Sequence, residues 1–390
     1  MAVGLDMAAL PRLAAAVPAL RRRVEAAGLR TEDLDDLEAL ARIPVLSKDE
    51  LLELQHADPP FGGLLAAGAR PRRVFQSPGP LYEPEPDTVD PWRWAPALRA
   101  AGFGEGQLVV NAFGYHLTPA GAMFEEGLRA MGCTVVPGGV GSMDLQAAAI
   151  RDLGVSGFVG LPSYLKALLE RHGDVDLERS FLAAEPLPPS LRTWLRERVG
   201  VVRQGYGTAE TGNCGFECEA EDGWHVPDDA LVQVCALDDG RPLGPGEEGQ
   251  VVVTLFREDY AIVRFGTGDL SRLVAEPCSC GRDTPRLAGW LGRVGEAVKV
   301  RGMFLHPRQV HTVMDDLDGV AAYRFVVERP ADRDELRVEV VPAGGADPAA
   351  VCERVREAVL SGLRFNVQVV AAGSLGEDRP VLEDARTWVG

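Results

Sequence analysis

The chain has 390 residues, of which 46% are hydrophobic and 25% are charged. This composition predicts a globular protein rather than a disordered one, and the length favours two domains over one. The net charge of -18 argues against a nucleic-acid surface, because binding to phosphates requires an excess of Lys and Arg. Arginine supplies nearly all of the positive charge, since the only lysines are Lys48, Lys166 and Lys299.

The predicted location is the cytoplasm. No apolar run approaches the length of a membrane-spanning helix, and charged residues and prolines interrupt the Ala- and Leu-rich start of the chain. The seven cysteines are an odd number in a long chain, which suits reduced thiols or a metal site better than a disulfide framework. We therefore expect neither a membrane nor a nucleic acid as a partner.

The first hundred residues predict a helical beginning followed by a short strand. Helical periodicity covers residues 10–29, acidic residues begin a second helix at 31–34, and Ser47 is a candidate N-cap for a third. A strand is predicted at 74–76, before an acidic, Pro-rich stretch. A helix follows over residues 92–101.

From residue 108 the pattern alternates between strand and helix. The predicted strands are 108–113, 134–137 and 157–160, and the predicted helices are 120–131, 144–153 and 163–172. Repeated βα units of this size imply a largely parallel sheet covered by helices, with ligands at the carboxyl ends of its strands. Residues 181–186 and 204–212 fall at such ends.

Residues 204–212 form a Gly-rich stretch, Gln-Gly-Tyr-Gly-Thr-Ala-Glu-Thr-Gly, which predicts a turn that binds phosphate. Glycines permit positive φ and close approach of a ligand, and backbone N–H groups can surround anionic oxygens. Thr208 adds a hydroxyl donor, and Glu210 is a candidate Mg²⁺ ligand. The alternative is an ordinary strand-to-loop turn.

Beyond this stretch the pattern predicts two further regions. Strands at 231–236, 249–256 and 259–265 indicate a β-rich subdomain, and the composition changes again near Gly295. After that point the predicted elements are a strand at 297–300, a helix at 306–317, strands at 322–328 and 336–341, a helix at 348–363 and a strand at 365–370. These elements predict a small α+β unit.

Several motifs occur in an order that resembles the phenylacetate:coenzyme A ligase family of adenylate-forming enzymes. They are Val-Pro-Gly-Gly-Val-Gly at 136–141, Ala-Ala-Glu-Pro at 183–186, Tyr-Gly-Thr-Ala-Glu at 206–210, Arg-Phe-Gly-Thr-Gly-Asp-Leu at 264–270, Cys-Ser-Cys-Gly-Arg at 278–282 and Gly-Arg-Val-Gly-Glu-Ala-Val-Lys-Val-Arg-Gly at 292–302. The resemblance extends from about Leu34 nearly to the C-terminus.

The resemblance implies an α/β, adenylate-forming ligase fold. A large N-terminal domain, residues 1–295, would contain mixed parallel sheets covered by helices and a β-rich subdomain that bind nucleotide and acyl group. A small mobile α+β domain, residues 296–390, would rotate about a hinge near Gly295-Glu296. A plain linker at this position is the alternative.

The resemblance also implies an ATP-dependent acyl- or aryl-coenzyme A ligase. In the family, a carboxylate attacks the α-phosphate of ATP to give an acyl-adenylate and pyrophosphate, and coenzyme A then displaces AMP to form a thioester. ATP/AMP, Mg²⁺ and coenzyme A are the cofactors implied. The substrate is predicted to be a small carboxylic acid, with aromatic acids among the candidates, and a homodimer is left open.

The family's functional residues match individual positions of this chain. Ala183, Ala184, Glu185, Pro186 and Tyr206 would border the adenine, and Gly207 would also belong to the nucleotide site. Thr208 would bind phosphate, Glu210 would hold Mg²⁺, Asp269 would accept hydrogen bonds from the ribose, and Arg293 would lie nearby. A carboxylate can accept from both hydroxyls of a diol, and Arg offers a planar pair of donors. For Asp269, a turn residue after Gly268 is the alternative.

The chain departs from the family at two places. The family's Ser/Thr/Gly-rich phosphate loop ends in Lys-Pro, whereas residues 76–85 here read Gln-Ser-Pro-Gly-Pro-Leu-Tyr-Glu-Pro-Glu. Prolines remove N–H donors and two glutamates add repulsion. The family's C-terminal catalytic lysine is also missing, and Arg379 is its candidate replacement, although a guanidinium is not equivalent to an ammonium. Lys299 is a weaker candidate, since a half-exposed strand residue shows the same alternation.

Cys218, His225, Cys278 and Cys280 are candidate ligands of a structural Zn²⁺. Three thiolates and an imidazole suit tetrahedral zinc, and the family carries a similar pattern. The alternative is four unrelated residues with buried thiols.

Two other functions remain open beside the ligase. Retention of Thr208, Glu210, Asp269 and Arg293 favours an enzyme, whereas the altered phosphate loop and the missing lysine favour a catalytically degenerate protein that binds nucleotide or thioester. An adenylating enzyme with an acceptor other than coenzyme A is the third alternative. For the acid pocket, Phe113 and Tyr115 are candidate stacking residues or core residues.

Overall fold

The computed structural model describes residues 5–77, 80–294, 298–301, 303–305, 307–315, 317–330, 333–376 and 379–386. Two compact units divide the chain, Met1–Gly292 and Arg293–Gly390. The predicted hinge at Gly295-Glu296, and with it the predicted boundary between residues 295 and 296, lies outside the described residues. Both therefore stay predictions.

Short helices and a capped turn begin the first unit, as the periodicity predicts. Its α-helices are α1 Ala9–Ala16, α2 Pro18–Ala26, α3 Leu37–Ala41, α4 Lys48–Ala57, α5 Ala95–Ala100, α6 Ala120–Ala130, α7 Met143–Leu153, α8 Pro162–Arg171 and α9 Pro189–Arg196, and a 3-10 helix covers Thr31–Asp35. Pro18 divides the predicted helical segment of residues 10–29 in two, because the residue before a proline disfavours helical geometry. Val17, which precedes Pro18, is extended. None of the described helices combines the length and apolar composition needed to cross a membrane.

The predicted N-cap at Ser47 is confirmed. The Ser47 hydroxyl accepts a hydrogen bond from the Glu50 N–H at 3.1 Å, and the Glu50 carboxylate accepts one from the Ser47 N–H at 2.8 Å. This reciprocal capping box satisfies two N–H groups that the first turn of a helix leaves unpaired. It fixes Lys48 as the first residue of α4.

The described strands form five sheets. They are β1 Arg73–Gln76, β2 Tyr82–Glu85, β3 Leu108–Asn111, β4 Thr134–Pro137, β5 Gly157–Gly160, β6 Leu177–Leu182, β7 Val199–Thr208, β8 Gly212–Phe216, β9 Trp224–His225, β10 Ala230–Cys235, β11 Glu248–Leu255, β12 Phe265–Arg272, β13 Arg286–Leu287, β14 Gly292–Arg293, β15 Val298–Val300, β16 Met303–Leu305, β17 Val320–Glu328, β18 Glu335–Pro342, β19 Gln368–Ala371 and β20 Leu382–Asp384.

An eight-stranded sheet organises the first unit, in the order β13-β9-β8-β7-β6-β5-β3-β4. The strands from β3 to β7 pair in parallel, as the βα pattern predicts, and β7, β8, β9 and β13 continue the sheet with antiparallel pairs. Because parallel strands need long crossovers, helices α6 to α9 fall between them. The carboxyl ends of β6 and β7 therefore share one edge.

The Gly-rich stretch forms a strand for most of its length, so the predicted turn over residues 204–212 was too long. Strand β7 continues to Thr208, and only residues 209–211 turn before β8. Gly205 and Gly207 are required by packing rather than by positive φ. A Cβ on Gly205 would lie 2.4 Å from the Phe181 ring, and one on Gly207 would lie 2.8 Å from the Trp94 ring.

A second sheet, in the order β10-β11-β12-β14, forms the predicted β-rich region. The strand predicted at 259–265 was wrong, because the ladder with β11 involves residues 265–272 instead. Residues 261–263 are buried, which produces the apolar pattern of a strand, but Ala261 donates its N–H to the Leu64 carbonyl and Ile262 donates its N–H to the Tyr260 carbonyl, rather than to a neighbouring strand of this sheet. The shift places Asp269 inside β12.

The amino-terminal helices and the second sheet share one hydrophobic core. Leu10, Leu13 and Leu20 are fully buried against strands β10 to β12 and the segment that precedes β12. Antiparallel β1 and β2 form a separate hairpin, with Arg73 opposite Glu85. The acidic, Pro-rich stretch thus contains a strand, β2, that sequence reasoning missed.

The second unit is a small α+β unit, as predicted. Strands β17 and β18 are antiparallel, β19 pairs in parallel with β18, and β20 pairs in parallel with β17. Helices α10 Pro307–Met314 and α11 Pro348–Leu363 contribute buried valines to its core. The strand predicted at 297–300 is present as β15, whereas its hairpin partner β16 and strand β20 were not predicted.

Replacing Gly205 by Ala should destabilise the protein by about 1–3 kcal/mol, because the added methyl group meets the Phe181 ring in a filled core. Gly173→Ala is the matched control, since nothing lies within 4 Å of a Cβ built there. Urea unfolding of both variants measures the difference. Equal stability would contradict the packing role of Gly205.

Candidate nucleotide and acyl site

The turn between β7 and β8 carries two predicted site residues, Thr208 and Glu210. The Thr208 hydroxyl accepts a hydrogen bond from the Thr211 N–H at 3.2 Å and shares another with the Thr211 hydroxyl at 2.9 Å. Gly212 then takes a φ of 72° where β8 begins, a conformation that favours glycine. The turn is therefore closed by its own side chains at the carboxyl end of β7.

Glu210 is buried and forms an ion pair with Lys48. The distance from Lys48 Nζ to Glu210 Oε1 is 2.6 Å. Burial alone would raise the pKa of Glu210, but the Lys48 charge and hydrogen bonds from Lys48 and Thr208 outweigh it and lower the pKa. Glu210 is thus ionised near neutral pH. Sequence reasoning missed Lys48 as a site residue, and only the scarcity of lysine marked it.

Glu83 is a second buried carboxyl group near Glu210. Burial raises the pKa of Glu83 well above its usual range, and the Glu210 charge adds to the rise, whereas the Ser77 hydroxyl and Lys48 oppose it. Neither oxygen of Glu83 makes a hydrogen bond of normal geometry to a described residue. The pKa of Glu83 is therefore raised and that of Glu210 is lowered, so Glu83 keeps its proton to a higher pH than Glu210.

The other glutamate of this stretch does not face the turn. Glu85 is fully buried and pairs with Arg73, whose Nη2 lies 2.8 Å from Oε1, and Arg73 also pairs with Glu126 at 3.0 Å. The predicted repulsion of phosphate by two glutamates therefore comes from Glu83 alone, because Arg73 neutralises the charge of Glu85.

Tyr206 and Asp269 meet across the junction of the two sheets. The Tyr206 hydroxyl donates to Asp269 Oδ2 at 2.9 Å, and the Trp290 indole N–H donates to Oδ1 at 3.1 Å. The Tyr206 ring stacks on Trp224 with ring centroids 5.3 Å apart. Asp269 lies within a strand, so its interpretation as a turn residue was wrong. Trp290 and Trp224 were not predicted.

Ala183 to Pro186 follow directly after β6. Ala184 has a φ of 69°, an uncommon conformation for a residue with a side chain that is typical of constrained sites. The Glu185 carboxylate accepts from the Ser163 N–H at the start of α8 at 3.2 Å, and its carbonyl accepts from the Gln204 amide at 2.8 Å. Glu185 thus fastens this segment to α8 and β7.

The remaining predicted residues, Arg293 and Arg379, belong to the second unit. Arg293 is half-buried on β14. Arg379 is exposed and pairs with Glu383 at 3.4 Å. Their roles stay predictions. Lys299 lies on β15.

The predicted zinc ligands meet in space. Ligand atoms of Cys218, His225, Cys278 and Cys280 all lie within 4.8 Å of one another. The sulfurs of Cys218 and Cys278 are 3.6 Å apart, and Cys280 Sγ is 3.3 Å from His225 Nε2. Two thiolates about 2.3 Å from a tetrahedral Zn²⁺ would be separated by about 3.8 Å, so the donor set fits zinc. His225 Nδ1 contacts the Thr284 hydroxyl at 3.0 Å, which would orient the ring as metal-binding histidines require.

Phe113 does not present a free ring for an aryl acid, whereas Tyr115 is half-buried. Phe113 is buried and stacks on Phe124 with centroids 4.6 Å apart. The Tyr115 hydroxyl accepts a hydrogen bond from the buried Asn111 amide at 2.9 Å. Phe113 is therefore a core residue.

Comparison with known proteins gives consistent matches. A family model described as AMP-binding enzyme matches residues 120–254. A phenylacetate-coenzyme A ligase of Thermus thermophilus is 33% identical over 350 residues, which cover 83% of this chain and 77% of the relative. The ligase of the same name from Escherichia coli is 28% identical over 389 residues, 92% of this chain and 87% of the relative.

A solved structure shows the same fold. A 2-hydroxyisobutyryl-CoA ligase, in complex with 2-HIB-AMP and CoA, superposes with a TM-score of 0.86 at 23% identity, over 98% of this chain and 90% of that chain. Together these matches confirm the predicted adenylate-forming fold and the acid–thiol ligase class. Because the Thermus relative is 33% identical over most of both chains, this chain belongs to the phenylacetate–coenzyme A ligase family of adenylate-forming enzymes.

Proposed function

We propose that the protein activates a small carboxylic acid with ATP and transfers the acyl group to coenzyme A. In the first step a carboxylate oxygen bonds to the α-phosphorus and pyrophosphate leaves. In the second step the coenzyme A sulfur, after losing its proton, bonds to the acyl carbon and AMP leaves. The names of the relatives, which are ligases forming coenzyme A thioesters, support this reaction.

The observation that carries the proposal is the arrangement along β7. Tyr206 holds Asp269 at 2.9 Å, and Thr208 lies two residues further, about 7 Å along an extended strand. That separation suits a nucleoside beside Tyr206 and an α-phosphate beside Thr208. Asp269 would accept hydrogen bonds from the ribose hydroxyls, because a carboxylate oxygen can accept more than one hydrogen bond.

Three charged residues would act on the phosphates. Glu210 would hold Mg²⁺ through Oε2, which makes no hydrogen bond to a described residue, and the metal would neutralise phosphate charge. Lys48 supplies a positive charge beside Glu210. Arg379 would reduce the repulsion between the carboxylate and the α-phosphate, and Arg293 would contact the ribose.

A structural Zn²⁺ is the second part of the proposal. The four ligands come from the end of β8, from β9 and from the loop before β13, so a bound ion would tie three edge segments together. Four protein ligands leave no open position, which is typical of structural rather than catalytic zinc.

The position of Glu83 favours the degenerate binding protein as a second candidate. A buried carboxyl group beside Glu210, together with prolines in the altered loop, offers few donors to a triphosphate. The identity of the acid, an acceptor other than coenzyme A, the cytoplasmic location and a homodimer stay predictions.

Acid-dependent pyrophosphate release from Mg-ATP should occur with at least one member of a panel of aryl and short-chain acids. Coenzyme A should then convert the acyl-adenylate to a thioester and free AMP, measured by chromatography. A reaction without acid is the control. Nucleotide binding without release by any acid would contradict the ligase, and release without thioester formation would indicate another acceptor.

Arg379→Ala should slow adenylation by about 100-fold or more, because a preorganised charge that acts on the transition state is lost. AMP binding, measured by calorimetry, should change little. Arg379→Lys is the matched control and should retain part of the rate. Normal pyrophosphate release by the Ala variant would remove Arg379 from the mechanism.

Cys280→Ser should lower the zinc content, measured by atomic absorption, and reduce Tm by roughly 5 °C or more, since a structural metal contributes folding energy. Cys352→Ser, which alters a half-buried thiol outside the cluster, should leave both unchanged. Unchanged zinc in the Cys280 variant would contradict the site.

A further inference from the structure

Four polar atoms without partners are buried in one region beside the β7–β8 turn. They are both carboxylate oxygens of Glu83, Oε2 of Glu210 and the Tyr260 hydroxyl, none of which makes a hydrogen bond of normal geometry to a described residue. The three residues are 6%, 6% and 3% exposed. Buried polar groups are nearly always paired in native proteins, so such a group of atoms indicates a ligand.

The three side chains lie close enough to influence one another electrostatically. The charge of Glu210 acts on Glu83, and both charges act on the Tyr260 hydroxyl. Tyr260 precedes the buried segment that leads into β12, whereas Glu83 lies on β2 and Glu210 follows β7. Three separate parts of the first unit thus converge here.

The carboxyl groups are held in place by their neighbours. The Gln55 amide donates to the Tyr82 carbonyl at 2.7 Å and accepts from the Tyr82 N–H at 2.8 Å, which clamps the backbone just before Glu83. Lys48 holds Oε1 of Glu210 at 2.6 Å and leaves Oε2 unbonded. A ligand would therefore meet preformed donor atoms.

The charges favour a cation as that ligand. When both carboxyl groups are ionised, they and the Lys48 ammonium together carry one net negative charge, so an anion would be repelled. Carboxylate oxygens are the preferred ligands of Mg²⁺, and Mn²⁺ accepts the same donors. The Lys48 side chain is 32% exposed, so its ammonium group can turn towards water when a metal takes a share of Glu210.

We infer that Glu83 and Glu210 together bind one divalent cation, with Glu83 as a ligand that this chain adds at its altered phosphate loop. This inference rests on the proposed function, in which Glu210 alone holds Mg²⁺. A cation between two carboxylates and Lys48 leaves one net positive charge, which suits an approaching phosphate. The altered loop then contributes through a metal ligand rather than through N–H donors.

Direct binding of Mn²⁺ tests the inference without relying on activity. The full-length protein, first equilibrated with Zn²⁺ so that the thiolate cluster is filled, is titrated with Mn²⁺ and free Mn²⁺ is measured by electron paramagnetic resonance. One ion should bind to the wild type. Glu83→Gln should weaken binding by about tenfold or more, because it removes a charged ligand while preserving shape. Circular dichroism verifies that each variant is folded.

Two further variants make the result specific. Glu53→Gln removes an exposed carboxylate from the helix that begins with Lys48 and should leave Mn²⁺ binding unchanged. Glu210→Gln should weaken binding, and the double variant with Glu83→Gln should lose much less than the sum of the two single losses, since both residues share one ion.

Wild-type Mn²⁺ affinity in Glu83→Gln would overturn the inference, as would no Mn²⁺ binding by the wild type at millimolar concentration. Pyrophosphate release by the same wild-type preparation separates this result from the proposed function. If pyrophosphate is released but Mn²⁺ binding does not depend on Glu83, the proposed ligase function stands and the inference is overturned. Mn²⁺ binding through Glu83 without release by any acid supports the inference and contradicts the ligase.

Discussion

The ion pair between Lys48 and Glu210 joins the amino-terminal helices to the turn that carries Thr208 and Glu210. Glu210 is almost completely buried, so it needs a positive charge close by, and the capping box at Ser47 places Lys48 at the start of α4 to provide it. Removing one partner of a buried pair commonly costs about 3–5 kcal/mol, because the other charge is left uncompensated. The first helices therefore help to hold the turn that carries Glu210 in place.

Strand β7 is the second constraint, because it serves packing and chemistry at once. Its glycines allow the Phe181 and Trp94 rings to approach the backbone, while Tyr206 reaches Asp269 from the same strand. Rigid β-ladder pairing on both sides of β7 holds these side chains in register. A site placed on paired strands loses little conformational entropy when a ligand binds.

Local sequence patterns predicted most of the helices and strands, but they could not predict which residues far apart in the sequence come into contact. The strand Thr134–Pro137 and the helix Pro348–Leu363 match their predicted bounds, because period and capping are local properties. The Gly-rich stretch was expected to turn throughout, since the sequence shows that glycine is conformationally free. It does not show the aromatic rings that pack against these glycines and leave no room for a Cβ.

Lys48 and Glu83 were missed as site residues because only the tertiary fold brings them to Glu210. The proximity of Cys218, His225, Cys278 and Cys280 was predictable from the resemblance to the family, whereas their irregular spacing alone left four unrelated residues as an alternative.

Strand β20 is short, but it covers one edge of the second unit's sheet. It pairs in parallel with β17 over residues 382–384, immediately after Arg379. An uncovered β17 would present a row of unpaired N–H and C=O groups, the feature through which sheets join edge to edge and aggregate. The same three residues that fix the backbone after Arg379 thus also pair the β17 backbone at residues 325–327, so a chain shortened before Leu382 would expose these backbone groups and remove Glu383, the ion-pair partner of Arg379.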